Sequence, residues 1–296
     1  MSTNFHQRPY EPDGDGFTVA ISPETAGWRF SSLRILELRA NQTCTFTTGD
    51  SEWIVLPLAG SCIVTCAKDT FELEGRTSVF ERVTDFAYVP RGTLITIHSS
   101  AGGRFALTGA LARRVLPARY GAAENVPIEL RGAGSASRQL TNFASPESFE
   151  TDRLIAVEVL TPGGNWSSYP PHKHDQERPG EAALEEIYYF EVKGGATAGT
   201  AGPGGYQRVY RSDDRREINV LAEVSTGDTI LIPFGYHGPT MAAPGYDLYF
   251  LNVLAGEGEP RTMSFCDDPI HAWVRDSWKH QPIDSRLPMT THRGTK

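Results

Sequence analysis

The chain is predicted to be an all-β protein built from two similar antiparallel barrels. Three observations predict this. Short runs rich in β-branched and aromatic residues recur at regular spacing. No helix-period pattern of any length interrupts them. The second half repeats landmarks of the first, with a period too long for a solenoid of small units.

The elements can be taken in order. Met1 to Gly16 is polar and rich in proline and glycine, unlike a signal peptide. Strands are expected at Phe17 to Ile21, Ser32 to Leu38, Thr43 to Thr47, Trp53 to Leu58, Ser61 to Cys66, Thr70 to Leu73, Phe86 to Val89, Leu94 to His98 and Arg104 to Ala112. Asn142 to Ser148 carries serines and a proline and reads as a linker. It divides the chain into residues 1–145 and 146–296, with the second barrel starting near Leu154. Glu52 opens an apolar run ending at Gly60, and Glu186 opens one ending at Gly194, eight positions on in both cases. Asp85 to Gly92 matches Asp228 to Gly235 position by position. Between these landmarks the second half is nine residues longer, and the glycine-rich stretch from Gly194 to Gly205 absorbs the excess. Its glycines lack the strand–GxGxxG–helix setting of a dinucleotide site, so a flexible, lid-like loop is expected. The tail from Pro269 holds Trp273, Trp278, His271 and His280. Its aromatics are expected to pack back onto a barrel, with both histidines in surface or packing roles.

At 296 residues the chain can hold one large domain or two ordinary ones. It is 39% hydrophobic and 22% charged, as globular proteins are. A net charge of −8, an isoelectric point near 5.5 and the lack of a long basic run exclude a nucleic-acid partner. No stretch approaches the ~20 apolar residues of a membrane span. Cys44, Cys62, Cys66 and Cys266 form no C-x-x-C pair and read as free thiols in a reducing cytoplasm. The sequons at Asn41 and Asn165 have meaning only in a secreted protein.

The chemistry concentrates in one stretch. His172 and His174 are separated by one residue, and in a strand residues i and i+2 share a face. An H-x-H alone is more often a surface strand. Here Pro170-Pro171 rigidifies the approach, and a second strand signal, Glu186 to Phe190, opens on a carboxylate. His237 follows a short apolar strand closed by Pro233-Phe234-Gly235. Two imidazoles and a carboxylate with room for water make the first shell of a catalytic site for zinc or a similar divalent metal. Glu185 and Glu186 compete for the carboxylate position, and Glu186 is preferred because the apolar strand starts directly after it. His6 is the only histidine before His98, and Leu94 stands at the place of His237. The first barrel is therefore expected to lack the metal.

These residues resemble the two-part signature of the cupin superfamily, with a longer gap between His174 and Glu186 than the usual motif has. Pro171 to Asp175, Leu184 to Phe190, Pro233 to His237 and Ala243 to Tyr249 resemble, more narrowly, the 5-deoxy-glucuronate isomerase family of myo-inositol catabolism. That family is related to a ketol-isomerase acting on a deoxy-hexosulose uronate. The resemblance covers nearly the whole chain. It implies a bicupin, two jelly-roll barrels in one chain, with metal ligands His172, His174, Glu186 and His237. It also implies reversible conversion of 5-deoxy-glucuronate to 2-deoxy-5-keto-gluconate. The partner is then a small sugar acid, and a homo-oligomer is compatible with it. Zinc is the first choice of metal, and manganese, iron or nickel suit the same donors.

Roles follow for the neighbours. Asp175, directly after the H-x-H, is the expected base. Tyr188 shares the face of Glu186 and is the expected donor to substrate. Arg178, with its bidentate fork, and Lys173 are the expected carboxylate binders, Arg178 preferred. Tyr236, beside His237, joins the substrate-binding set. An Fe(II) dioxygenase is an alternative that the same ligand shell supports. A non-catalytic sugar-binding cupin is another, although no helix-turn-helix pattern accompanies it.

Overall fold

Two strands organise the chain, Ser51–Cys66 and Glu181–Gly194. Each reads as a nearly continuous apolar run because both of its faces are covered. Alternate side chains therefore enter different cores. In the computed structural model, which describes residues 4–194 and 202–295, three large cores appear, with a small fourth around Ile155, Ala182, Leu184 and Leu254. Trp53 and Val55 join Leu36, Val64, Ile97 and Phe105 inside the first half. Tyr188 and Phe190 join Val157, Val159, Ile230 and Phe250 inside the second. The opposite faces, Ile54, Leu56 and Leu58 against Ile187, Tyr189 and Leu251, merge into one cluster shared by the halves.

The sheets are antiparallel. Nine strands from Phe17–Ile21 to Arg119–Gly121 form one sheet. A second runs in the order His6–Gln7, Thr229–Ile232, Glu181–Gly194, Tyr246–Gly256, Ile155–Thr161, Arg138–Ala144, Ile128–Arg131, with Asp175–Arg178 attached. A six-stranded sheet carries Asn219–Val224, Gly205–Tyr210, Tyr236–Ala242, His172–Lys173 and Cys266–Asp267 along its path, with Trp166–Ser167 beside them. The expected strands Trp53 to Leu58 and Ser61 to Cys66 are one strand, bent where its register shifts between Pro57 and Ala59.

The division at residues 1–145 and 146–296 is not where the sheets divide. Ile128–Arg131 and Arg138–Ala144 pair into the second-half sheet, and His6–Gln7 adds to its other edge. The stretch from Asn142 looked like a linker because of its polar residues, yet Phe143 and Ala144 are buried. The loop expected between Gly194 and Gly205 falls largely outside the described residues. The tail packs back, with Gln139 donating to Thr290 and Asp284 bonded to Asn165. Of the two tryptophans expected to do this, Trp278 lies by Arg138 but Trp273 is exposed. Among the described residues no helix is long and apolar enough to cross a membrane.

The repeat register also needs correction by one residue. Trp53 pairs with Val89 as Glu186 pairs with Ile232, each partner directly preceding Pro90 or Pro233. Trp53, not Glu52, therefore stands where Glu186 does. The counterpart of Glu52 is Glu185, and the two make a reciprocal clasp. Glu52 accepts the backbone N–H groups of Asp152, Arg153 and Leu154 at 2.8, 2.7 and 2.8 Å. Glu185 accepts those of Arg29, Phe30 and Ser31 at 2.6, 2.8 and 3.0 Å. Each half thus caps the entry strand of the other. Ion pairs reinforce the same boundary: buried Arg76 with Glu158, and half-buried Arg104 with Glu191 at 2.7 Å.

Candidate metal centre

The histidines converge because two strands place them opposite one another. His172 lies directly across from His237 in the antiparallel pair His172–Lys173 and Tyr236–Ala242. Their ring centroids are 4.4 Å apart, and His174 lies 4.7 Å from His237. One ring nitrogen from each of the three falls within 4.8 Å of the others. Glu186 closes the cluster from the adjoining sheet, its Oε2 3.0 Å from His174 Nε2 and 3.1 Å from His237 Nε2. His237 is fully buried and Glu186 is 2% exposed.

Alternation settles which glutamate faces inward. Even-numbered residues of Glu181–Gly194 point into the second-half core and odd-numbered ones toward the first half, so Glu186 meets the histidines and Glu185 caps backbone amides.

The electrostatics suit a cation. Burial, with His237 and His174 nearby, holds His172 well below the usual imidazole range. Burial also lowers His237. Burial alone would lower His174, but the hydrogen bond and charge of Glu186 outweigh it and raise it. Burial would raise Glu186, and His174 and His237 overturn that, so it stays an anion. The outer nitrogens are held by carbonyls: His174 Nδ1 donates to Leu184 O at 3.1 Å, and His237 Nδ1 faces Gly235 O at 3.4 Å. Those contacts turn the Nε2 lone pairs inward. His237 Nε2 is buried with no hydrogen-bond partner, and Glu186 Oε2 lies 3.1 Å away. A buried, unpartnered nitrogen among two imidazoles and a carboxylate fits a divalent ion, and the donor set does not select one metal.

A cavity opens beside the cluster, lined by His172, His174, Glu186 and Tyr188. Tyr188 is where the sequence placed it, stacked on Phe250 at 5.0 Å, its hydroxyl 3.2 Å from Ser168 Oγ. Burial, helped by the charge of Glu186, pushes its pKa far up, so it is a neutral donor.

The other expected residues face away. Lys173 Nζ bonds Asp175 at 2.7 Å and Glu181 at 2.6 Å, Arg178 Nε bonds Glu181 at 2.7 Å, and Arg216 bonds Asp175 at 2.7 Å. This network lies on the opposite side of the strand from the histidines. Asp175 is therefore not placed as a base, nor Lys173 and Arg178 as carboxylate binders. For Lys173 and Asp175 the reason is the period of the strand: residues flanking two inward histidines turn outward. Arg178 lies past a register shift in Asp175–Arg178, and Glu181 holds it. Tyr236, next to inward His237, turns outward too and packs on Tyr210 at 5.6 Å. His271 and His280 lie on the tail, away from the cluster.

Sequence reasoning missed several cavity residues: Arg131, Arg138, Ser168, Asn252, Met263 and Phe265. Asn252 had a signal, a polar residue at an inward position between Phe250 and Leu254, and its Oδ1 is buried without a partner. The two arginines had none, because they precede the presumed linker.

The first half has different side chains at these registers. Phe46 pairs with Ile95 as His172 pairs with His237, and Trp53 occupies the place of Glu186. Leu94, matched to His237 by counting, is 59% exposed, and its neighbour Ile95 is the inward residue.

A sequence profile of the KduI/IolB family matches residues 5–274. A Geobacillus kaustophilus protein named 5-deoxy-glucuronate isomerase is 38% identical over 273 residues, spanning 90% of this chain and 94% of the relative. A Bacillus subtilis protein of the same name is 36% identical over 257 residues, spanning 86% and 91%. Among solved structures, an IolB-like protein from Salmonella typhimurium aligns with a TM-score of 0.82 and 30% identity, over 92% of this chain and 99% of that one. Oxalate decarboxylase from Bacillus subtilis aligns with a TM-score of 0.61 over 90% and 80%, at 12% identity, a likeness of fold alone.

Proposed function

The chain belongs to the KduI/IolB family, and from that premise we propose that it isomerises 5-deoxy-glucuronate to 2-deoxy-5-keto-gluconate in myo-inositol catabolism. The observation that carries this reading is the buried cluster of His172, His174, Glu186 and His237 opening on a cavity. The architecture we propose is two cupin barrels. The first runs from Phe17–Ile21 through Arg119–Gly121, and the second from Ile128–Arg131 through Cys266–Asp267. The repeated pairing registers and the likeness to oxalate decarboxylase support it. The second barrel holds the metal ligands.

A divalent ion bound by the four ligands would supply a Lewis acid for the aldehyde carbonyl and its neighbouring hydroxyl. The remaining work falls to the chain. Tyr188, kept neutral by burial, donates a hydrogen bond to a substrate oxygen. Glu186 is the sole carboxylate among the cavity residues, and its Oε1 makes no hydrogen bond among the described residues. That oxygen is the group able to hold the C2 proton before its delivery to C1. Leu184, Val157, Phe250 and Met263 keep the cavity wall apolar and exclude water.

An NMR assay tests this with 5-deoxy-glucuronate and protein stripped of metal and then reloaded. Reloaded protein should convert the substrate, and stripped protein should not. His237→Ala should lose metal and activity while keeping its circular dichroism. Turnover in D2O should place deuterium at the carbon that was C1 of the substrate, the CH2OH carbon of the product. Failure of metal-loaded protein to convert the substrate, with oxygen uptake on another, would replace the isomerase with a dioxygenase.

A further inference from the structure

We infer that Arg138 is the receptor for the substrate's carboxylate, anchoring the end of the sugar acid remote from the histidines. This inference rests on the isomerase reading above.

Three arginines are buried among the described residues, and they are not alike. Arg76 is paired with Glu158. Arg153 donates to the carbonyl of Gly256 and lies over Phe30, away from the cavity. Arg138, 6% exposed, lines the histidine cavity. It donates one hydrogen bond, to Ala136 O at 3.0 Å, and its guanidinium lies 5.5 Å from the Trp278 ring. No carboxylate pairs with it among the described residues. A buried guanidinium without an anion is costly, and a bound carboxylate removes that cost with two parallel hydrogen bonds.

The neighbourhood repeats the signal. Arg131 lines the same cavity, its charge shared with Glu129. Arg275, paired with Asp267, lies close enough to act on Arg138. Burial, with Arg131 and Arg275, pulls Arg138 down to about 9. Arg131 and Arg275 have carboxylate partners and Arg138 has none among the described residues, so an anion entering here meets one uncompensated positive charge.

The sheet order sets the distance. Glu186 and Tyr188 stand on Glu181–Gly194. Crossing Tyr246–Gly256 and Ile155–Thr161 leads to Arg138 on Arg138–Ala144, three strand steps away. At ~4.8 Å per step the crossing alone is roughly 14 Å. The register adds to it, since Gln139, next to Arg138, lies in line with Leu160, Tyr249 and Glu191 rather than with Glu186. Both side chains nevertheless reach one cavity. The span between is floored by Phe250, Val157 and Val159. A six-carbon sugar acid carries its aldehyde and carboxylate at opposite ends and bridges two such poles. A neutral hexose would leave Arg138 buried and unpaired, which is a strong basis for rejection.

The test compares wild type with Arg138→Met and Arg138→Lys on 5-deoxy-glucuronate and on 5-deoxyglucose, its neutral counterpart. Calorimetric titration with D-glucuronate adds a readout without turnover. Arg138→Met should raise KM about ten- to hundredfold with kcat little changed, the pattern of lost uniform binding. It should also lose the wild-type preference for the acid, and Arg138→Lys should fall between. Ligand-free Arg138→Met should melt at or above the wild-type temperature, since a purely structural arginine would lower it. An unchanged KM in active protein, or a lowered melting temperature with unaltered glucuronate binding, overturns the inference. If Arg138→Met fails to fold, Arg138→Lys decides: wild-type acid preference overturns it. If wild type itself does not turn over 5-deoxy-glucuronate, the isomerase reading falls. The glucuronate titration then still decides the role of Arg138.

Discussion

Glu52→Gln isolates the clasp between the two halves. Glu52 has no exposed surface. Its Oε1 accepts from the N–H groups of Arg153 and Leu154 at 2.7 and 2.8 Å, and its Oε2 from Asp152 N–H at 2.8 Å and the Tyr88 hydroxyl at 2.9 Å. Glutamine keeps the shape and replaces one oxygen with NH2. The less costly orientation turns NH2 toward Asp152 N–H and the Tyr88 hydroxyl, which can reverse and accept. Asp152 N–H then faces a donor, and the other three bonds lose the acceptor's charge. At about 1.5–3 kcal/mol for a bond to a charged acceptor and about 0.5–1.5 for a neutral one, one loss and three weakenings sum to about 3–6 kcal/mol. Glu185→Gln is the internal control. Its NH2 can turn toward Arg29 N–H alone, leaving Phe30 and Ser31 bonded, and partial exposure lets water replace the lost partner. About 1–2 kcal/mol is expected there. Thermal melts followed by circular dichroism read the difference. At about 2 °C per kcal/mol for a chain of this size, Glu52→Gln should melt about 6–12 °C lower and Glu185→Gln about 2–4 °C lower. Bound metal should be retained in both. Equal drops, or a Glu52→Gln drop under about 3 °C, would refute the clasp as a principal tie between the halves.

Two further outcomes follow from the ion pairs. Asp175 Oδ2 accepts Gly235 N–H at 3.0 Å and so holds the turn that presents His237. Asp175→Asn should weaken metal affinity about tenfold or more, measured by competition with a chelator, and leave deuterium incorporation at C1 intact. Full metal affinity with abolished exchange would restore Asp175 as the base. Asp284 is held below the usual carboxylate range by the hydrogen bond from Arg286, and it fastens the tail through Asn165. A depressed acid stabilises the fold fully above its unfolded pKa of ~3.9 and loses that contribution as pH falls through the folded value. Asp284→Asn should therefore lower the melting temperature at pH 7, and the gap should close as the pH drops below ~3.9. A gap that stays constant with pH would contradict this.

The strands were legible because their signal is local. A run such as Ile54 to Leu58 declares a strand covered on both faces without reference to its neighbours. The same two-residue period put His172 and His174 on one face and favoured Glu186 through the strand that follows it. It also held the correction for Lys173 and Asp175, whose odd positions flank the even histidines, while Arg178 lies beyond a register shift that the period does not reach. Nearness in sequence was mistaken for nearness to the site, and the Lys173–Asp175–Glu181 network shows how those charges are used instead.

By itself, then, the sequence determined the strand-rich class, the family and the four side chains that converge, His172, His174, Glu186 and His237. All of these reside in residue type and in spacing along one strand or turn. Only the tertiary structure decided the rest. The repeat counted from Gly60 and Gly194 came out one residue off, because register is a relation to a partner strand: Trp53 meets Val89, and Glu186 meets Ile232. Arg138 entered the cavity because its strand joined the edge of Ile155–Thr161. Which strand edges pair depends on contacts between residues far apart in the chain, and no local period records them.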